Sequence, residues 1–142
     1  MNASQPSESA IQAHLGMLQN VVQRMASNSA SCKTWCITIV SAIIVAVADK
    51  PNEKLLWIAA IPIPAFLLLD AYYLGLERGF RDSYNAFVSR YCSGTLRSQD
   101  VFCISPSKDV NWLRLEAFTS FSILGFYLPL AAIVAVVKAI IT

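Results

Sequence analysis

Charge is what this chain has least of. Of 142 residues, 14% are Asp, Glu, Lys or Arg and 56% are hydrophobic, where a soluble domain of this size carries about 25% charged residues. Too few charges remain to coat a globule in water. Histidine occurs once, at His14, and there is no glycine-rich phosphate loop, HExxH or GxSxG, so the common frameworks for phosphate, zinc or acyl chemistry are missing. The expectation is a non-enzyme without a cofactor. The four cysteines, Cys32, Cys36, Cys92 and Cys103, contain no CxxC pair, which argues against a zinc site, and the cytoplasmic side assigned to them below keeps thiols reduced, which argues against a disulfide framework; small packing residues are the simpler reading. A secretory leader is disfavoured as well, because the first basic residue is Arg24 and the apolar run begins too late.

What the chain does have is long apolar runs. Residues 34–48 and 117–137 carry no charge, and residues 55–76 carry only Asp70. A helix needs about 20 apolar residues to cross a hydrocarbon core, which the latter two runs reach unaided. The first run is extended by the small residues 26–31 and by Lys33, whose ammonium can snorkel. Three spans follow. They leave Arg24, Lys33, Arg78, Arg81, Arg90, Arg97, Lys108 and Arg114 on one side and Lys50, Lys54 and Lys138 on the other. The basic excess assigns the first side to the cytoplasm, with the N-terminus there, the 49–54 hairpin outside and the C-terminus periplasmic if the host is bacterial.

The pattern inside each segment is helical. Ser4 and Ser9 are candidate starts, after which Ile11, Leu15, Leu18, Val22 and Met25 recur at heptad spacing. Neutral flanking residues favour protein packing over a lipid surface for this seam. With no Gly or Pro between Met25 and Pro51, the same helix runs on into the first span as a hydroxyl stripe, Ser27, Ser31, Thr34, Thr38 and Ser41. Such a stripe either lets helices approach closely or lines a watery path. Pro62 and Pro64 predict a kink in the second span. Leu76, Phe80, Tyr84, Phe87 and Tyr91 share one face and predict that this helix continues past the membrane as a stalk meeting the Ile11 to Met25 seam, with Gly75 and Gly79 as a potential hinge. Residues 92–111 form the one clear break, with residues 101–104 as a short strand and Ser105, Pro106 or Ser107 opening the last helix.

The fold class is thus an all-α membrane protein, oligomeric, with three transmembrane helices, an N-terminal amphipathic helix and a cytoplasmic helical stalk. Its parts are residues 1–33 (amphipathic helix), 34–76 (transmembrane hairpin), 77–115 (stalk and connection) and 116–142 (third span). The candidate functional residues are Thr34, Thr38 and Ser41 as pore lining and Asp70 as a gating group. A carboxylate inside a span faces the bundle or a partner, or else pairs with Arg78 or Lys33 near the headgroups. Arg78, Arg81, Arg90 and Arg97, interleaved with aromatics, are candidates for nucleic-acid binding, although positive-inside topology places basic residues there whatever the function.

The stretch NSASCKTWCITIVSAIIV from Asn28, then Ala48-Asp49-Lys50 and LDAYYLGLERGFR from Leu69, resembles a family of small bacterial membrane proteins from anti-phage loci, the membrane effectors of the Hailong defence system. The likeness covers roughly residues 11–91. It implies a homo-oligomeric ion channel of the inner membrane, a tetramer, held closed by single-stranded DNA oligomers that a partner nucleotidyltransferase makes. Loss of the oligomers on infection would open the channel and depolarise the membrane. The alternatives are a membrane-disrupting effector opened by a cyclic nucleotide and a non-conducting structural membrane subunit.

Overall fold

Ser7 starts the first helix, its hydroxyl accepting from the Ala10 amide at 3.3 Å and so meeting one of the donors that a helix N-terminus leaves unpaired. The computed structural model describes residues 6–49 and 53–141, and the regular structure among them is helical throughout. The elements are α1 (Glu8–Asp49), α2 (Glu53–Ala60), α3 (Pro62–Cys92), a 3-10 turn (Ser98–Asp100), α4 (Val110–Phe118) and α5 (Phe121–Ile141). Ser9 therefore lies inside α1 rather than capping it, and Ser4 falls outside the described residues.

Three segments are long and apolar enough to cross a membrane: one within α1, one over Trp57–Cys92 and α5 itself. The 42 residues of α1 measure about 63 Å, roughly twice the ~30 Å hydrocarbon core. A bilayer could hold only about half of α1, which leaves the other half as an arm. The second segment is interrupted at Ile61, since Pro62 and Pro64 bring no amide to the helical ladder. Ile61 keeps helical dihedrals (φ −65°, ψ −44°) and its amide bonds Ile58 instead. The single helix expected from Leu55 to Tyr91 is accordingly two segments, α2 and α3.

α1 and α3 pack antiparallel, which the pairing of His14 with Phe87, Gln19 with Tyr84 and Ser29 with Asp70 makes plain. On the arm, Ile11, Phe87 and Val101 form a small core flanked by Leu15 and Leu96. The heptad seam is thus used within the chain: Ile11 and Leu18 are buried, and Leu15, Val22 and Met25 are half-buried. In the apolar half, Cys36 and Val40 of α1 meet Ala71 of α3 and Ile123, Tyr127, Leu130 and Val134 of α5.

The hinge expected at Gly75 and Gly79 is not a break in the helix, since α3 passes through them unbroken. They are where α4 comes closest. A Cβ at Gly75 would sit 2.8 Å from the Leu113 carbonyl oxygen, and one at Gly79 2.5 Å from Leu113 Cδ1. Asp109 caps α4 through the Asn111 amide at 2.7 Å, in place of the Ser105 to Ser107 start that the sequence indicated. Trp112 and Leu115 remain exposed on α4's outer face, as suits a helix lying at a membrane surface. The last span starts later than residue 116: α4 stops at Phe118, and Ser120 opens α5, its hydroxyl accepting from the Ser122 amide at 3.3 Å. No strand occurs among the described residues. Residues 101–104 turn instead, with Phe102 in the left-handed region at φ 69°.

Candidate functional site

Asp70 is fully buried between α1, α3 and α5, although it sits in an apolar run. A lone carboxylate there is untenable, and the fold supplies partners from one turn of α1. Lys33 Nζ lies 2.6 Å from Asp70 Oδ2, and the Ser29 hydroxyl donates to Oδ1. Lys33 also reaches the Ser29 hydroxyl at 3.3 Å. Of the two partners weighed for Asp70, Lys33 is the one it has. Tyr127 from α5 packs beside the same carboxylate, its hydroxyl buried without a hydrogen-bond partner among the described residues. Ser29 and Tyr127 were not singled out in the sequence. Ser29 stands one helical turn before Lys33, on the side of α1 that carries Cys32 and Cys36, and that spacing was the available signal.

Thr34, Thr38 and Ser41 lie on the opposite side of α1 and are exposed, as are Ser27 and Ser31. The core of the chain makes no use of the stripe. Thr34 donates its hydroxyl proton to the Ala30 carbonyl at 3.2 Å and Thr38 to the Thr34 carbonyl at 2.7 Å. With those protons committed, both oxygens turn acceptor lone pairs outward. Trp35 and Val45 share the exposed surface of this helix.

The four candidate arginines are not one continuous patch. Arg78 is tied into the fold, its Nη2 donating to the Ser120 hydroxyl at 2.8 Å. Arg81 pairs with the buried Glu77 one turn back, while most of its own side chain stays exposed. Arg90 is about half exposed and pairs with Asp100 at 3.2 Å. Arg97 is exposed, and its amide donates to the other Asp100 oxygen at 3.0 Å.

Arg90 also borders a cleft of about 510 Å³ where α1, α3 and the connection after α3 converge. α1 contributes His14 and Leu18, and α3 contributes Phe87 beside Arg90. The far wall is Gln99, Asp100, Cys103 and Ser107. His14 is 2% exposed, its ring 4.3 Å from that of Phe87, and its Nδ1 accepts the Phe102 amide at 3.0 Å. That bond holds Phe102 in its left-handed conformation, which costs a side-chain-bearing residue about 1–2 kcal/mol. Burial, and then the charge of Arg90, push the His14 pKa below its ordinary value, so the ring is neutral and carries its proton on Nε2. His14 and Cys103 share this cleft, and no cluster of three metal-binding side chains occurs among the described residues.

No protein-family model, curated protein or solved structure matches the chain.

Proposed function

We propose that this protein is one subunit of a homo-oligomeric ion channel of the bacterial inner membrane, its arm in the cytoplasm, gated there by an anionic ligand. The observation that carries this reading is the exposure of Thr34, Thr38 and Ser41 on the side of α1 that faces away from α3 and α5. Hydrocarbon offers hydroxyl oxygens nothing, whereas a water-filled axis between subunits hydrates them. A ring of outward lone pairs favours cations over anions, since a cation trades water oxygens for hydroxyl oxygens.

Asp70 would couple the arm to the pore, because its ion pair with Lys33 locks α1 to α3 at the base of the arm. The ligand that the family resemblance implies is a single-stranded DNA oligomer from a partner nucleotidyltransferase, binding the closed state and holding it by population shift. Arg81, Arg90 and Arg97 expose cationic surface for such a polyanion, and Arg78, committed to Ser120, takes the lesser part.

Ion flux through the purified protein in liposomes, with and without oligodeoxyadenylate, tests this directly. The expected result is flux in its absence and block in its presence. Flux unaffected by DNA would remove the ligand from the proposal, flux raised by a cyclic nucleotide would reverse its sign, and no flux at all would favour a structural subunit. Thr38→Lys should change conductance if the stripe lines the axis.

A further inference from the structure

We infer that the arm carries both halves of a head-to-tail contact between copies of this chain: the turn around Ile104, on one side of the arm, seats in a cleft beside Tyr84 on the opposite side of the next copy. The inference rests on the homo-oligomeric part of the reading above and adds where the arms meet and in which sense. Phe102 is 58% exposed and Ile104 37%. Both belong to the connection after α3, whose Ser105 carbonyl takes the Ser83 hydroxyl, and α3 rises about 20 Å from Asp70 to Ser83. Lipid hydrocarbon, whose edge lies near Asp70, does not reach that height, so what covers these side chains is protein. The fold fixes how they are presented, since His14 Nδ1 holds the Phe102 amide and with it the turn. The backbone groups of Cys103 and Ile104 have no hydrogen-bond partner among the described residues.

The receiving cleft, of about 390 Å³, is formed by Gln19, Asn20, Val22 and Gln23 of α1 with Arg81 and Tyr84 of α3. Around α3, Arg81 and Tyr84 lie roughly 150° from Ser83, Ala86 and Arg90, which face the connection. Turn and cleft are thus on opposite sides of the arm, yet level with each other, because Ser83 and Tyr84 are adjacent residues. Two unlike surfaces at one height repeat by rotation without rise, which closes a ring. Asn20 stands one heptad before Ser27, so the cleft borders the side of α1 that carries the hydroxyl stripe, and a copy seated there continues the contact down to the proposed pore.

The two surfaces also match in chemistry. Val22 and the Tyr84 ring give Ile104 an apolar floor, and the side-chain amides of Asn20 and Gln23 each bring a donor and an acceptor to the unpaired backbone of the turn. Arg81, exposed beyond its bond to Glu77, is the one charged residue lining the cleft. Asp109 supplies the opposite charge. Its carboxylate is exposed and bonds only the Asn111 amide among the described residues, and it follows Ser107, whose amide is held by Gly79, close to Arg81 along α3. In the ring Arg81 is engaged by the neighbour, which leaves Arg90 and Arg97 to a polyanion.

Disulfide trapping of the full chain in membranes tests the contact. In a background of Cys92→Ser and Cys103→Ser, which removes both exposed thiols and leaves Cys32 and Cys36 buried, one chain carries Asn20→Cys and a second carries Ser105→Cys. Oxidation joins two residues only when their Cα atoms come within about 7 Å. Co-expressed, the two chains should give a covalent dimer on non-reducing gels, and either alone should stay monomeric. Both substitutions on one chain should give a ladder that ends at the copy number of the ring. Ser89→Cys in place of Ser105→Cys, on the outer side of α3, should give at least about tenfold less dimer, and Ile104→Lys, which sets a second cation against Arg81, should lower the yield by a similar factor. Dimers from Ser105→Cys alone would mean that like sides meet and would overturn the head-to-tail contact, as would a yield indifferent to Ile104→Lys or equal in the Ser89 control. A ladder without a last band would overturn the closed ring. Absence of cross-links in a protein of multimeric mass by light scattering would overturn the contact and leave the oligomeric reading standing; a monomeric mass would overturn both.

Discussion

Replacing Asp70 by Asn removes a charge without removing the acceptor for the Ser29 hydroxyl, and so isolates the ion pair. Asp70 is fully buried and the Lys33 side chain is 19% exposed. At an effective dielectric constant near 20, two unit charges about 4 Å apart attract by about 4 kcal/mol. Stranding one partner of a buried pair costs about 3–5 kcal/mol in proteins generally. Lys33 retains a little water, so Asp70→Asn should destabilise by about 3 kcal/mol, at the low end of that range. Lys33→Met strands the carboxylate instead and should cost a similar amount. The double variant strands neither charge and should come back to within about 1 kcal/mol of the parent, the residual cost being one imperfectly bonded amide. Equilibrium unfolding in mixed micelles, followed by the fluorescence of Trp35, Trp57 and Trp112, measures all four corners of the cycle. An additive cycle, or an Asp70→Asn variant as stable as the parent, would refute the assignment of this pair as the buried lock between α1 and α3.

The same assay reaches other parts of the fold. Tyr127→Phe deletes a buried hydroxyl without a hydrogen-bond partner and should be neutral or stabilising by up to about 1 kcal/mol; a loss larger than that would mean the hydroxyl bonds Asp70. Gly75→Ala forces a Cβ against the Leu113 backbone carbonyl, which cannot swing aside as a side chain would, and should cost about 1–3 kcal/mol. Gly16→Ala meets nothing within 4 Å and should add up to about 1 kcal/mol of helix stability. The lowered pKa of His14 means that the unfolded chain takes up the proton first. The arm's stability is then full above the unfolded value of about 6.5 and falls as pH drops from there toward the folded pKa. Unfolding midpoints across that range should fall for the parent and stay flatter for His14→Gln.

The sequence made legible whatever depends on one helix at a time. Apolar runs marked the spans, and the 4-and-3 spacing from Ile11 to Met25 marked the face that α1 turns toward α3. Pro62 and Pro64 marked the interruption at Ile61. What depends on two elements meeting was hidden. Gly75 and Gly79 look alike as hinge or as contact until Leu113 is known to lie against them. Residues 101–104 have the composition of a strand, yet a strand needs a second strand to pair with, and among the described residues there is none. Those residues turn because Phe102 donates to His14, 88 positions earlier. At the stop at Phe118 the one local signal was Ser120, a cap residue before an apolar run, since neither Gly nor Pro stands there; its bond from Arg78 of α3 depends on two elements meeting.

The two sides of α1 explain why one helix carries both the buried lock and the exposed stripe. Ser29, Cys32, Cys36 and Val40 advance by three or four residues and stay against α3 and α5. Ser31, Thr34, Thr38 and Ser41 do the same on the other side. The two series are out of phase by about two residues, or roughly 200° on a helix of 3.6 residues per turn. A chain that buried both would need neighbours of its own on both sides, and α2 to α5 provide them on one. A rotation of α1 large enough to bury the stripe would withdraw Ser29 and Lys33 from Asp70 and leave a naked carboxylate at membrane depth. The ion pair therefore fixes the rotational setting of α1, and with it the outward direction of Thr34, Thr38 and Ser41. In the proposed channel, any opening motion that turns α1 must first weaken the contact between Lys33 and Asp70.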